Sequence, residues 1–296
     1  MEGALDLHVH VAPSIRPRLS DSQELIGEAS RYGMRAVLLK DHDRSTVADA
    51  WYAGKTGSPT TAFGSVVLNA PQGGLNPSAV EASADLGARA VFLPTESARN
   101  NADVWASHLP EGQQLADLVG RTVRLHAPPI GLLDAAGDLL PAGQAVVDTC
   151  VSRDLLVCTG HISADEVGAT VRATAQAGGR VLVTHAPTFT GASPDLLDEW
   201  ARAGALLELV ALMCCGEVAG WIRRSYAMDA ALIDSVGAEA FVLSSDLGQA
   251  QNPSPPDGLC AFIDGLLAEG ISDEDISTMT RRNPARALGL PDEVDA

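Results

Sequence analysis

Short apolar runs alternate with amphipathic stretches along the whole chain, and few folds accept that rhythm. The runs cover residues 4–10, 35–40, 65–69, 88–93, 154–158, 180–184, 205–210 and 240–244. Most are rich in Val, Leu and Ala at successive positions, so both faces of each strand need cover, as in a parallel sheet flanked by helices. Helical spacing fills the gaps. Residues 21–32 place Leu25, Ile26 and Ala29 on one face, with Ser20 as the expected cap and Gln23 three residues on. Asn76-Pro77 opens 78–86 and Ser193-Pro194 opens 195–203, with proline in the first turn, where its missing N–H costs nothing. Residues 163–177 stop at Gly178-Gly179, and 272–288 form the closing helix. Eight strand–helix units in 296 residues predict an α/β chain folded as a TIM-like (β/α)8 barrel, which typically takes ~250 residues. An open doubly wound sheet is the alternative, but no glycine-rich phosphate fingerprint follows the first strand.

One segment breaks the rhythm. Residues 97–142, between the fourth and fifth strands, contain Val123–Pro129 and then a stretch expected to turn back as a hairpin near Ala136-Gly137. Long loops in compact domains are usually functional or disordered, and this one is read as a flap inserted over the barrel mouth. The expected organisation is a single barrel domain over residues 1–296 carrying that insertion.

Charge narrows the function. Lys+Arg number 20 against 38 Asp+Glu, a formal net charge of −18, which leaves little basic surface to neutralise phosphates and argues against a nucleic-acid partner. The first residues lack the basic and apolar regions of a secretory leader, and no apolar run reaches the ~18 residues of a membrane span. Five cysteines without regular spacing do not suggest a disulfide framework. A cytoplasmic protein with a small-molecule substrate and no membrane partner is expected. A homo-oligomer through Trp221-Ile222, or through Trp200 with Leu196-Leu197, is compatible, though buried packing explains those residues equally well. Only Lys40 and Lys55 are lysines, so nearly all the cations are arginines.

The histidines fall where barrel enzymes keep their chemistry. His8 and His10 end the first strand, His42 follows the second, His161 the fifth, and His185 ends the sixth; Asp246 ends the eighth. In a (β/α)8 barrel the C-terminal strand ends meet at one mouth. Residues i and i+2 of a strand share a face, so His8 and His10 can reach the same ion, and neutral imidazole is the commonest metal ligand. A lone histidine is more often packed or solvated, but five at strand ends beside an aspartate point to a metal site.

With these residues in order, the sequence resembles the amidohydrolase superfamily of metal-dependent hydrolases. The resemblance rests on His8-Val9-His10, His161, His185 and Asp246, and on the tail Asn283-Pro284-Ala285-Arg286. Leu68–Pro77 with Leu93-Pro94-Thr95 is similar to a subgroup of amidohydrolase-like proteins of unknown substrate. The resemblance implies one or two divalent ions, most simply Zn2+, on His8, His10, His161, His185 and Asp246. It also implies metal-activated water attacking an amide, cyclic amide, imide or lactone carbonyl, with Asp246 shuttling the proton. Two-metal members bridge their ions with a carboxylated lysine or a glutamate from strand four. Here strand four ends Leu93-Pro94-Thr95-Glu96 without a lysine, whereas strand two ends in Lys40. A lysine amine can capture carbon dioxide and a guanidinium cannot, so three alternatives stand: a carboxylated Lys40 bridge, a Glu96 bridge, or a single ion. The expected substrate contacts are His42, Arg16, Glu96 and, on the flap, His126, with Arg18 beside Arg16 as a second fork for a carboxylate. Lys40-Asp41-His42-Asp43 is also similar to an element of PHP-type phosphoesterases. That leaves a phosphoester hydrolase, or a one-metal decarboxylase or hydratase on the same barrel, as alternatives; a non-enzymatic metal barrel would not need Asp246 as a base.

Overall fold

A computed structural model describes residues 1–108 and 127–291. Eight strands run in sequence order, each parallel to the next: β1 (Leu5–His10), β2 (Ala36–Lys40), β3 (Thr61–Val67), β4 (Ala88–Phe92), β5 (Leu156–Cys158), β6 (Arg180–Val183), β7 (Leu206–Val210) and β8 (Phe241–Ser244). The chain beyond β8 returns to β1, where Asp246 N donates to His8 O at 2.8 Å and His10 N donates to Leu247 O at 2.8 Å. The result is the expected TIM-like (β/α)8 barrel. Its outer layer includes α1 (Ser22–Arg31), α2 (Val47–Ala53), α3 (Pro77–Asp85), α4 (Arg99–His108), α5 (Pro141–Ser152), α6 (Ala164–Gln176), α7 (Pro194–Arg202), α8 (Ala211–Cys215), α9 (Tyr226–Val236), α10 (Pro255–Ala268), α11 (Asp273–Ser277) and α12 (Asn283–Ala287).

Two apolar layers account for the strand pattern. Leu5, Leu7, Leu38, Phe92, Leu156, Leu182 and Val242 fill the barrel interior, closed below by Ala285 and Leu288 near the end of the chain. Val37, Leu39, Val66, Val91, Val157 and Leu243 point outward onto the helices, together with Leu25, Val80, Val146, Leu197 and Phe262. Fully burying such a side chain contributes about 1.5–3 kcal/mol. Among the described residues no helix is long and apolar enough to cross a membrane.

Three local expectations are corrected. The cap of α1 is Asp21, not Ser20: its carboxylate accepts from Gln23 N and Glu24 N, and Glu24 reaches back to Asp21 N at 3.0 Å. The pair one residue later wins because both members are acidic, which suits a helix N-terminus. The tail is not one helix, because a π turn over Thr278–Arg282 separates α11 from α12. Pro284 has no N–H to continue the ladder. Asn283 turns the break to use by donating to Phe241 O at 2.7 Å and Ala238 O at 3.0 Å, which ties the tail to the start of β8. The insertion also contains the helix α4, where only a flap was expected.

The insertion lies between β4 and β5 as predicted. It is anchored at its base by Ile130 N to Ser97 O, 2.7 Å, and Arg99 N to Ile130 O, 2.8 Å. Its second part turns as a hairpin, with Leu133 bridging to Leu139 around Gly137 at φ 87°. Glu166 joins it to the barrel: one carboxylate oxygen accepts from Leu132 N at 2.6 Å, while the other accepts from Ser163 N at the start of α6.

Candidate metal centre

The first strand carries the irregularity that aims its histidines. Its register with β2 shifts between Asp6 and Val9. The buried Asp6 carboxylate holds that bend, with Oδ1 accepting from His8 N at 3.1 Å and from Ser245 N at 3.0 Å. Bulges of this kind re-aim a side chain. Beyond it, the His8 and His10 rings lie 5.4 Å apart. Two more site residues sit on strained backbone, His185 at φ 48° and Asp246 at φ 53°. Such conformations cluster at functional sites.

The ligand atoms of His8, His185 and Asp246 all lie within 4.8 Å of one another, and all three side chains are buried. Asp246 Oδ1 is 3.0 Å from His8 Nε2, and Oδ2 is 3.0 Å from His185 Nε2. Apart from that contact, neither ring nitrogen of His185 has a hydrogen-bond partner. His161 completes the group, its ring centroid 5.1 Å from that of His185. Its Nδ1–H donates to Asn101 Oδ1 at 2.9 Å, which leaves the buried Nε2 a bare lone pair with no partner. Bare imidazole lone pairs beside a carboxylate, all out of water, fit a cation and are costly without one.

A residue absent from the sequence reading stands behind His8. Glu208, fully buried on β7, receives the Nδ1 proton of His8 at 3.1 Å and accepts from His185 N at 3.3 Å. A carboxylate that fixes the tautomer of a ligand histidine is a recurrent partner of metal sites. Burial pushes the Glu208 carboxyl up, but the charge of His8 and its hydrogen bond bring it below its ordinary value. Burial likewise opposes ionisation of Asp246, and His8 and His185 overcome it, holding that carboxyl well below the usual range. His8 moves the other way: burial lowers it, but Asp246 and Glu208 raise it above its ordinary value. The two carboxylates thus favour one added positive charge at this point.

Lys40 is fully buried, with Nζ donating to His8 Nε2 at 2.8 Å and lying 4.8 Å from the Phe92 ring centroid. Burial pushes its amine below the ordinary value. The His42 ring stacks 5.0 Å from His10, and its Nδ1 is 2.9 Å from Thr95 Oγ1. Asn69 holds this corner, donating to His42 O at 2.9 Å and Thr95 Oγ1 at 2.7 Å while accepting from Thr95 N and Ser97 N. That network gives the Leu68–Pro77 stretch a structural purpose. Arg16 and Glu96 pair with each other at the rim. His126 lies outside the described residues. The expected His8, His10, Lys40, His161, His185 and Asp246 are therefore brought together, with His42 against His10 and the Arg16–Glu96 pair farther out.

An aromatic wall leads outward from the donors. His161 stacks on Phe189 at 4.1 Å, Phe189 meets Trp221 edge-on at 6.2 Å, and Trp221 packs against Trp105 and His108 of α4 at 5.0 and 4.3 Å. Asn100, also on the inserted helix, donates to Phe189 O at 3.0 Å and His161 O at 3.1 Å. The insertion thus positions site residues directly. Its signal in the sequence is the Asn100-Asn101 pair.

Solved structures share this fold. An amidohydrolase from Pseudomonas aeruginosa matches at 13% identity over 96% of this chain and 95% of its own, with a TM-score of 0.63. A 2,6-dihydroxybenzoate decarboxylase from Rhizobium matches at 12% over 98% and 99%, TM-score 0.56. An amidohydrolase from Burkholderia multivorans with bound zinc matches at 12% over 97% and 99%, TM-score 0.54. No curated protein matches the chain. Residues 3–208, more than half of the sequence, match the family described as "Family of unknown function (DUF6282)", and the chain belongs to that family.

Proposed function

We propose that this protein is a metal-dependent hydrolase of an amide, cyclic amide, imide or lactone carbonyl, with a divalent ion on His8, His10, His161, His185 and Asp246. The observation that carries the reading is the Asp246 carboxylate, with the Nε2 atoms of His8 and His10 at 3.0 and 3.1 Å from one oxygen and that of His185 at 3.0 Å from the other. A nitrogen-rich set with one carboxylate suits zinc, and an ion there supplies Lewis-acid polarisation of a carbonyl and lowers the pKa of water to ~7. Zinc in the Burkholderia multivorans structure supports the choice. Asp246 takes the proton of the attacking water at a carboxylate oxygen and passes it to the leaving nitrogen or oxygen. Glu208 and Asn101 keep the Nδ1 protons of His8 and His161 in place, so both present Nε2 lone pairs. His42 contacts the substrate oxygen, and Arg16, with Arg18, takes a substrate carboxylate. Phe189 and Trp221 line one side for a flat or cyclic group.

Lys40 separates one-ion from two-ion chemistry. Carboxylated, Lys40 would supply the extra oxygen ligands that a two-ion site needs, with Glu96 as the other candidate for that part. A second reading, decarboxylation at one ion, is favoured by the fold shared with the Rhizobium decarboxylase. The experiment is a metal count per chain, an intact-mass measurement for added carbon dioxide on Lys40, and a screen of cyclic amides, lactones, phosphomonoesters and aromatic carboxylic acids. Chelator-sensitive opening of a lactone or amide supports the hydrolase. Release of carbon dioxide from the acids alone, with one ion and unmodified Lys40, replaces it with the decarboxylase.

A further inference from the structure

The two arginines that follow β1 differ in what they hold. Arg16 pairs with Glu96, so its charge is met by a carboxylate of the chain itself. Arg18 has no such partner. Among the described residues its guanidinium meets one polar atom, His10 Nδ1, 3.3 Å from Nη2. Its Nε is buried and donates to nothing. Asp41, Asp246 and Glu96 act on it only through space. A half-buried cation of this kind has given up water without gaining an anion, which is costly. The backbone keeps it there. Ala12 N donates to Ser20 O at 2.9 Å, closing the loop after β1, and Leu19 N donates to Gly248 O at 2.9 Å. Arg18 itself pairs antiparallel with Gln249, just beyond Asp246. Gly248 permits that approach, because a Cβ there would overlap His10 O.

We propose that Arg18 is the anchor for a substrate carboxylate, and that the substrates are carboxylic acids whose acid group lies a few bonds from the reacting carbonyl. The inference rests on the hydrolase reading above and narrows it from the Arg16–Arg18 pair to Arg18. A second Nη2–H and the Nε–H form one edge of the guanidinium, and that edge matches the two oxygens of a carboxylate. The spacing follows from the ring between them: His10 Nδ1 faces Arg18, and His10 Nε2 lies 3.1 Å from Asp246 Oδ1. A small acid held on Arg18 therefore places its carbonyl over the donor set, and a long spacer would carry it past. The net charge of −18 repels anions at long range, so recognising an acid needs a local cation of this kind. Hydrolysis of a lactam or lactone acid adds water across the C–N or C–O bond. The carbonyl carbon gains the hydroxyl and the leaving nitrogen or oxygen gains the proton, so the product is a dicarboxylate.

Titration calorimetry of the zinc-loaded full chain with malonate, succinate, glutarate and adipate, each beside its diamide, tests the inference. At least one diacid should bind, and its diamide should bind at least ~10-fold more weakly, as expected when a charge-assisted pair is lost. Arg18→Met should weaken that diacid by ~10–100-fold, with zinc still bound by metal count and the fold intact by circular dichroism. Arg18→Lys keeps the charge but not the fork, so its loss should fall between. Arg18→Gln gives a second measurement if the Met variant fails to fold. A diacid held by the ion alone would bind Arg18→Met as it binds the unaltered chain, and that result overturns the proposal. So does a diamide bound as tightly as its diacid, or a series in which no diacid binds. If the unaltered chain takes up no zinc, the metal reading fails, and the same titrations on the metal-free chain still decide whether Arg18 holds an acid. If it takes up zinc and Arg18→Met changes nothing, only this assignment fails.

Discussion

Asp246→Asn keeps the side-chain shape and removes the charge on which the donor set converges. Losing a positioned acid–base group typically costs 10²–10⁴-fold in rate, and under the proposed function a metal ligand goes with it, so turnover of any substrate found by screening should fall at least that far. Retained activity in a folded Asp246→Asn protein would remove the proton-shuttle role. Glu208→Gln is a finer probe. The amide still reaches His8 Nδ1, but it no longer supplies an ionised acceptor that fixes the tautomer. Zinc affinity should drop ~10–100-fold, read by chelator competition, with the fold intact by circular dichroism. The histidines and Asp246 were legible in the sequence because each is polar and ends an apolar run. Glu208 was missed because it lies inside one, Leu206-Leu207-Glu208-Leu209-Val210. A single carboxylate in such a run is itself a signal, since glutamate is rarely buried without a partner.

The ends of the strands carry the site, so changes in backbone there should act on it at a distance. Gly160 precedes His161 at φ 66°, and a Cβ at that position would lie 2.4 Å from Leu93 O and 2.6 Å from Pro94 O. Gly160→Ala therefore meets backbone on β4's exit and an unfavourable conformation at once. About 1–3 kcal/mol of stability should be lost by denaturant unfolding, and zinc affinity should fall as His161 shifts. The insertion depends on Glu166 in a similar way. Glu166→Ala leaves Leu132 N without its partner at 2.6 Å, at a cost of about 1–3 kcal/mol. Limited proteolysis should then cut near residues 130–139 first; an unchanged pattern would show that the base of the insertion is held by Ser97 and Ile130 alone. Strand and helix order was readable from periodicity, because covered strands and amphipathic helices differ in pattern. Element ends were less so. Asp21 replaced Ser20 as a cap one residue away, and the π turn before Asn283-Pro284 arises from a hydrogen bond that proline cannot make.

At the scale of the whole barrel, the donors come from β1, the exit of β5, the exit of β6 and the exit of β8, and His10 lies 236 residues from its partner Asp246. An unfolded chain of this length cannot gather them, so an ion at this site would bind the native barrel in preference to the unfolded chain. The alternation of covered strands with helices was enough to read that architecture, because a closed parallel sheet leaves no strand face in water. It was not enough to read which ion or substrate the mouth accepts, since that is decided by side chains from loops distant in sequence. Ligand linkage then makes stability a measure of the site. At a free zinc concentration of 1,000 times Kd, binding only to the native state contributes about 4.1 kcal/mol. With an unfolding entropy of ~2.1 cal/mol/K per residue, 1 kcal/mol moves the Tm of a 296-residue chain by ~1.6 °C, so metal removal should lower Tm by roughly 6–7 °C. Calorimetry of the chain with zinc, after chelation and after zinc is restored should show Tm fall and recover, with Asp246→Asn insensitive to both steps. A Tm that does not move would mean that the barrel folds without holding an ion, and that the positive charge facing Asp246 is supplied by the chain itself, through Lys40 or a protonated His8.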